Sequence, residues 1–486
     1  MKTMEELHNL LVNKEITAVE LVEATFSYLE ENEATIGAFI NTDKEAALTA
    51  AKKVDERGID ENNLLDGIPV AVKDNIVTQN GKTTAASKML ENFEAIYDAT
   101  AVKKIKDAGM IIIGKTNLDE FGMGGTTETS KLQTTKNPWD TTKVPGGSSG
   151  GSAASVAAGF VPAALGTDTG GSIRQPAAYT NLVGLKPTYG AVSRYGLIAF
   201  ASSLDQIGPM THTVKDNAVL FNAISGEDAK DNTSASLEKD FTAKIGKEIN
   251  GLKVGVPKEF FDQEIVDEDI LNIVQKAVDE LEKLGAEIIE VELPHLKYGV
   301  PAYYTIASAE ASSNLQRYDG IRYGYHAEDA KSLEDLYVKT RTEGFGEEVK
   351  RRIVLGGLAL SVDHYDELYS QATKVRTIIR KEFEEALDKV DILVGPSTTS
   401  VAPAFKDSED YKPVDAYKGD LLTVPVNLAG TPALNIPVGF SNDLPVGMQL
   451  IGNYFEEDVL YQVGYAYEQA TDHYQQQPNF KGGATE

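Results

Sequence analysis

The chain contains no cysteine in 486 residues. That absence excludes disulfides, thiolate nucleophiles and cysteine-ligated zinc. Histidine is scarce, with six copies, and tryptophan occurs once. His8, His212, His295, His326, His364 and His473 all lie outside glycine-rich or otherwise special settings, so a surface or satisfied-core role is the simpler reading for each. A Ser–His–Asp triad therefore lacks an evident base. No apolar run approaches a membrane span, and Met-Lys-Thr-Met-Glu-Glu-Leu at the start lacks the apolar core of a secretory signal. A cytoplasmic location with no membrane partner is expected. Positive charge is also in short supply: 46 Lys and Arg stand against 74 Asp and Glu, a formal net charge of −28. Such a field repels phosphate backbones and argues against this chain gripping nucleic acid unaided. Most of the acidity reads as a solvated surface.

What is present is the texture of a folded enzyme-sized protein, 42% hydrophobic and 25% charged. The first sixty residues read as a helical layer. Thr17-Ala-Val-Glu20 has the form of a capping box, followed by Leu21, Val22, Tyr28 and Leu29 at helical spacing. A second helix is predicted over residues 44–57, stopped at Gly58. The apolar run Ile68-Pro-Val-Ala-Val-Lys73 then reads as a strand. Helix and strand alternate from there: 101–108 with 110–113, 267–284 with 287–293, and 361–389 with 391–394. Strands at 433–436 and 448–451 and a helix at 456–471 close the chain. The pattern predicts an α/β fold, a large mixed β-sheet covered by helices on both faces. The acidic stretch 226–240 reads as an exposed excursion rather than a boundary, so a single domain over 1–486 is expected.

The densest chemistry lies between Val144 and Tyr179, where two glycine-flanked serines occur, Ser148 in Gly-Gly-Ser-Ser-Gly-Gly and Ser172 in Thr-Gly-Gly-Ser-Ile-Arg. Glycine lets a substrate approach main-chain N–H groups closely, as a nucleophile beside an oxyanion pocket requires. The segment 146–150 formally matches a Gly-x-Ser-x-Gly elbow, but the loop-like residues before it lack the strand that motif needs. A phosphate-binding loop is weak here too, since no Gly-Lys-Ser/Thr follows. A serine hydroxyl needs a base, and the remaining choice is a lysine. Lys73 ends an apolar strand, where burial disfavours the charged form; bringing its pKa from about 10.4 to near 7 takes roughly 4–5 kcal/mol. From position alone, a lysine reaching out of a strand end to water is the simpler reading.

Lys73, Ser148 and Ser172, in that order, with an almost unbroken match from Pro145 to Pro176, resemble the amidase signature family and its Ser–cisSer–Lys triad. The resemblance implies that Ser172 is the nucleophile, that Ser148 relays the proton across a cis peptide bond from Gly147, and that Lys73 is the neutral base. It also implies an oxyanion hole from the N–H groups of Thr169, Gly170 and Gly171 together with Ser172.

The resemblance covers the whole chain and is strongest to the glutamine-hydrolysing A subunits of tRNA-dependent amidotransferases. It is carried by stretches such as 117–130, 202–209, 308–314, 351–356 and 420–432. It implies release of ammonia from glutamine, passed to a B subunit that amidates ATP-activated Glu-tRNA(Gln), with a C subunit clasping the two. The tRNA would be held mainly by the B subunit. ATP and Mg2+ would serve the assembled heterotrimer, with no cofactor or metal in this chain. For the glutamine charges it implies Asp420 for the α-ammonium and Arg352 for the α-carboxylate, with Tyr303 nearby; the adjacent Arg351 leaves that register open by one. Gly122 and Thr126 stand where relatives are expected to carry Ala and Ser. The competing readings are a free-standing amidase using the same triad on another small amide, and a non-enzymatic module that binds a ligand with its glycine loops.

Overall fold

The structure, a computed structural model, describes residues 2–79, 81–407 and 418–480. Its centre is an 11-stranded sheet in the order β1-β3-β2-β4-β6-β5-β10-β11-β9-β7-β8. The strands are β1 (Phe39–Thr42), β2 (Pro69–Lys73), β3 (Ile111–Thr116), β4 (Ala163–Asp168), β5 (Val183–Lys186) and β6 (Gln206–Thr211), then β7 (Lys253–Pro257), β8 (Glu287–Val291), β9 (Ile392–Pro396), β10 (Ala433–Ser441) and β11 (Leu444–Gly452). The sheet is mixed. β3, β2 and β4 run parallel, as do β9, β7 and β8. The strands from β4 through β6, β5, β10 and β11 to β9 pair antiparallel. Every residue of β2, β4, β5, β6, β9 and β11 is buried, so helices and loops cover both faces of the sheet.

Helices form where the sequence supplies caps and an apolar stripe. Thr3 with Glu6 and Thr17 with Glu20 make reciprocal capping boxes at Met4–Val12 and Ala18–Ile36. Lys44–Arg57 ends at Gly58 as the sequence predicts. The N-terminal layer is not wholly helical, however: β1 lies within it and pairs with β3. Four residues are too few to show a period in sequence. The long helix expected over 361–389 begins only at Tyr369. Ser361 intervenes, its hydroxyl donating to the Leu358 carbonyl at 2.7 Å, a local bond that competes with helix continuation. No helix among the described residues is long and apolar enough to cross a membrane.

The topology sets up the site. β2 and β4 are parallel neighbours, with Val72 opposite Leu165. Their carboxyl ends, Lys73 and Asp168, therefore reach the same edge of the sheet, the place where open α/β sheets present chemistry. The alanine-rich helix Gly150–Ala157, buried along its whole length, packs against both strands and delivers the preceding glycine-rich turn to that edge.

Candidate active site

Lys73 is fully buried. Its Nζ lies 2.8 Å from Ser148 Oγ, 2.8 Å from Ser149 Oγ and 2.7 Å from Thr167 Oγ1. Burial pulls its pKa down to about 7, against the opposing charges of Asp119, Asp168 and Asp205. The lysine thus does not reach water as a strand-end lysine would. The hydrogen bonds around it are directional. Ser149 Oγ donates to the Thr167 carbonyl at 3.0 Å, so toward the lysine it acts as an acceptor. Thr167 Oγ1 also receives Asn75 Nδ2 at 3.1 Å. A neutral amine has two N–H donors and one lone pair. With Ser149 and Thr167 taking the donors, the lone pair is left for the Ser148 hydroxyl.

The peptide bond Gly147–Ser148 is cis. Two neighbours fix this turn: Gln175 Oε1 accepts the Gly147 N–H at 2.9 Å, and the Asp119 N–H donates to the Ser148 carbonyl at 3.2 Å. The Asp119 carboxylate in turn gathers the loop over the turn, accepting the N–H groups of Thr126, Thr127 and Thr129 and the Thr129 hydroxyl. Gly122 lies beside the turn, where an added Cβ would sit 3.6 Å from Ser148 Oγ; Thr126 lines the cleft described below.

Ser172 sits in the loop that joins β4 to the helix Arg174–Tyr179 and is 8% exposed. Its carbonyl accepts the N–H of Ser149 at 3.2 Å, which brings the two serine-bearing turns side by side. A buried carboxylate organises the loop. Asp168 accepts the N–H groups of Gly171 at 2.8 Å and Ile173 at 3.1 Å, Asn427 Nδ2 at 2.8 Å, and Arg174 Nε at 3.1 Å. Burial alone would raise the Asp168 pKa, but the Arg174 guanidinium and these donors hold it well below the usual carboxylate range. Gly171 has φ +130°, and a Cβ there would meet Thr423 Oγ1 at 2.4 Å, so only glycine fits. The Thr423 hydroxyl donates to the Gly170 carbonyl at 2.7 Å.

The Gly171 N–H, expected to join Thr169 and Gly170 around a substrate oxygen, is engaged by Asp168. Among the described residues the N–H groups of Thr169, Gly170 and Ser172 have no partner, and these three are the donors left for a ligand.

Beside the loop opens a cleft of about 650 Å3 whose lining includes Thr126, Gln175, Tyr304, Arg352 and Asp420. Arg352 is 5% exposed, projects from the helix Glu347–Ala359 and bonds Glu348 Oε1 through Nε at 2.8 Å. Among the described residues its terminal nitrogens have no hydrogen-bond partner. Arg351, one residue earlier, is exposed and pairs with the other oxygen of Glu348, which resolves the register in favour of Arg352 as the buried cation. Asp420, half-buried, accepts the Tyr304 hydroxyl on Oδ2 at 2.7 Å. Tyr303 is placed differently from Tyr304. It is buried, and its ring closes on Gly170, where an added Cβ would approach Cζ to 2.8 Å.

Several residues here carry no sequence signal of their own. Ser149 and Thr167 around the lysine are such a pair, as are Asp168 with Arg174 under the nucleophile loop, and Tyr304 with Glu348 in the cleft. The one available hint is proximity to the glycine-rich segment, which holds four of the six.

Comparison with known proteins agrees with the geometry. The amidase family model matches residues 20–460. The A subunit of the glutamyl-tRNA(Gln) amidotransferase of Streptococcus pneumoniae (strain 70585) is 57% identical over 483 residues, covering 99% of both chains. The crystal structure of the protein of the same name from Thermotoga maritima superimposes with a TM-score of 0.81 at 42% identity, over 97% of this chain and 95% of that one. The peptide amidase of Stenotrophomonas maltophilia gives a TM-score of 0.81 at 28% identity, over 99% and 98%. A model that spans most of the chain, and full-length relatives this similar, show that the chain belongs to the amidase signature family.

Proposed function

We propose that this chain hydrolyses glutamine for a tRNA-dependent amidotransferase, with Lys73, Ser148 and Ser172 as its catalytic residues. The reading is supported above all by one observation, a solvent-free lysine amine 2.8 Å from the hydroxyl of Ser148. With its pKa near 7, that amine is about half uncharged at neutrality and largely so above it, and its lone pair takes the Ser148 proton. Ser148 Oγ takes the proton of Ser172, and Ser172 Oγ attacks the glutamine amide carbon. The carbonyl oxygen, now negative, is received by the free N–H groups of Thr169, Gly170 and Ser172; donors of this kind are typically worth about 3–4 kcal/mol each. Return of the proton along the same path lets ammonia leave, and the same base activates the water that releases glutamate from the ester on Ser172.

Glutamine carries two charges beyond its amide. Arg352, whose terminal nitrogens have no hydrogen-bond partner among the described residues, suits the α-carboxylate through two parallel hydrogen bonds, and Asp420 suits the α-ammonium. Tyr303 contributes as the buried wall behind Gly170. The full-length relatives are named as subunits of a glutamyl-tRNA(Gln) amidotransferase, and on that likeness we place this chain in a cytoplasmic heterotrimer. A B subunit would hold the tRNA and use ATP and Mg2+ to fix the ammonia, and a C subunit would clasp the pair. An acidic chain of net charge −28 suits a division of labour in which another protein of the complex holds the nucleic acid.

The test is a glutaminase assay of the chain alone and with its co-purified partners. Glutamine hydrolysis that disappears in Ser172→Ala is expected. Strong turnover of hydrophobic amides by the lone chain, with no use of glutamine in either setting, would overturn the reading in favour of a free-standing amidase.

A further inference from the structure

Opposite charges lining one open cleft attract each other, and an arginine with unpaired terminal nitrogens closes on a nearby carboxylate unless its surroundings prevent it. Arg352 and Asp420 line the same cleft, and the charge of Arg352 acts on the Asp420 carboxyl. Yet Arg352 pairs with Glu348, and Asp420 receives Tyr304. Tyr304 stands between the two charges. The Arg352 guanidinium lies over its ring, 4.8 Å from the centroid, and its hydroxyl reaches Asp420 Oδ2 at 2.7 Å. The Tyr304 ring is itself braced: Tyr303 packs against it edge-on, with centroids 5.3 Å apart and planes at 86°, and Tyr303 is wedged on Gly170 of the nucleophile loop. From the other side Glu348 holds Nε, so the arginine is tethered at one end and supported across its face.

Resting on the glutamine reading above, we propose that Tyr304 is a positioning residue that sets the spacing between Arg352 and Asp420, so that the cleft selects amides bearing both an α-ammonium and an α-carboxylate. Without the ring, the two side chains would pair with each other and the substrate would have to break that pair to bind. Because Tyr304 is tied through Tyr303 to Gly170, the spacing is also referenced to the loop that carries Ser172. This links the position of the substrate's charges to the position of its amide.

The test compares Tyr304→Phe and Tyr304→Leu, each assayed in its native complex on glutamine and on propionamide, which has no α-charges. Phe keeps the surface under the guanidinium and loses only the bond to Asp420, so KM for glutamine is expected to rise about tenfold with kcat little changed. Leu removes both supports. KM for glutamine is expected to rise about a hundredfold, and a crystal structure is expected to show Arg352 within about 4 Å of Asp420. Turnover of propionamide should fall far less than turnover of glutamine in both. Equal losses on the two amides, or a Leu variant with unchanged glutamine KM and the two charges still apart, would overturn the proposal. Should Leu fail to fold, the KM and kcat of the Phe variant decide by the same criteria. Wild-type enzyme with no preference for glutamine over propionamide would overturn the glutamine reading and this proposal with it. A wild type that does prefer glutamine, with a Leu variant whose Arg352 and Asp420 stay apart in the crystal, would overturn this proposal alone.

Discussion

The two halves of the site are built in opposite ways. The half around Lys73 hangs from the parallel strands β2 and β4, and its two buried charge-bearing side chains are matched: the lysine by two serines and a threonine, Asp168 by two N–H groups, a guanidinium and an amide. The half around Arg352 and Asp420 hangs from helices and a turn, and faces an open cleft with hydrogen-bonding capacity in reserve. Chemistry that must proceed identically for each molecule is held by a rigid, satisfied frame. Recognition needs groups that still have a bond to offer.

The largest expected effects probe the first half. Ser172→Ala and Lys73→Ala should each lower kcat/KM by about 10^4-fold or more, on glutamine and on propionamide alike, with the fold retained by circular dichroism. Substantial turnover by Lys73→Ala would point to another base. Asp168→Asn, which leaves Arg174 buried with a weakened partner, should destabilise the protein by about 3–5 kcal/mol in a denaturant titration and depress activity on every amide. A variant as stable as the parent would show that the loop does not depend on this carboxylate.

Effects on the second half should be smaller and selective. Asp420→Asn should raise KM for glutamine about a hundredfold and leave propionamide untouched. Glu348→Gln, which loosens Arg352 without removing it, should raise that KM by only about three- to tenfold. A uniform loss across both substrates would erase the distinction between the two halves.

The same contrast explains what could be read from the sequence. Ser148 and Ser172 were legible because glycine surrounds them, whereas Lys73 stood out at the end of Ile-Pro-Val-Ala-Val but became the base only through the family resemblance, because position alone suits a strand-end lysine reaching water. The strong helices, such as Lys44–Arg57, were legible from period and stop signals. Ser149 and Thr167 were not, because their role exists only where two parallel strand ends meet, a relation with no local pattern. β6 was missed for a related reason: Pro209 argues against a strand interior, but pairing with β4 on one side and β5 on the other outweighs it. The choice between Tyr303 and Tyr304 for the cleft is likewise a matter of helix rotation. Neighbouring tyrosines face different ways, and one closes on Gly170 while the other meets Asp420.

The uncharged Lys73 is the centre of the account, and the pH dependence of Ser172 phosphonylation by a serine-reactive fluorophosphonate tests it most directly, because that reaction needs the triad but not the glutamine-binding charges. Burial lowers the lysine from its ordinary value near 10.4 to about 7, so the amine form dominates above that pH and is lost as protons are added below it. The logarithm of the labelling rate should rise with unit slope up to about pH 7 and level off above. A rate that is flat from about pH 5 to 9, or that climbs only as pH approaches 10.4, would contradict the claim.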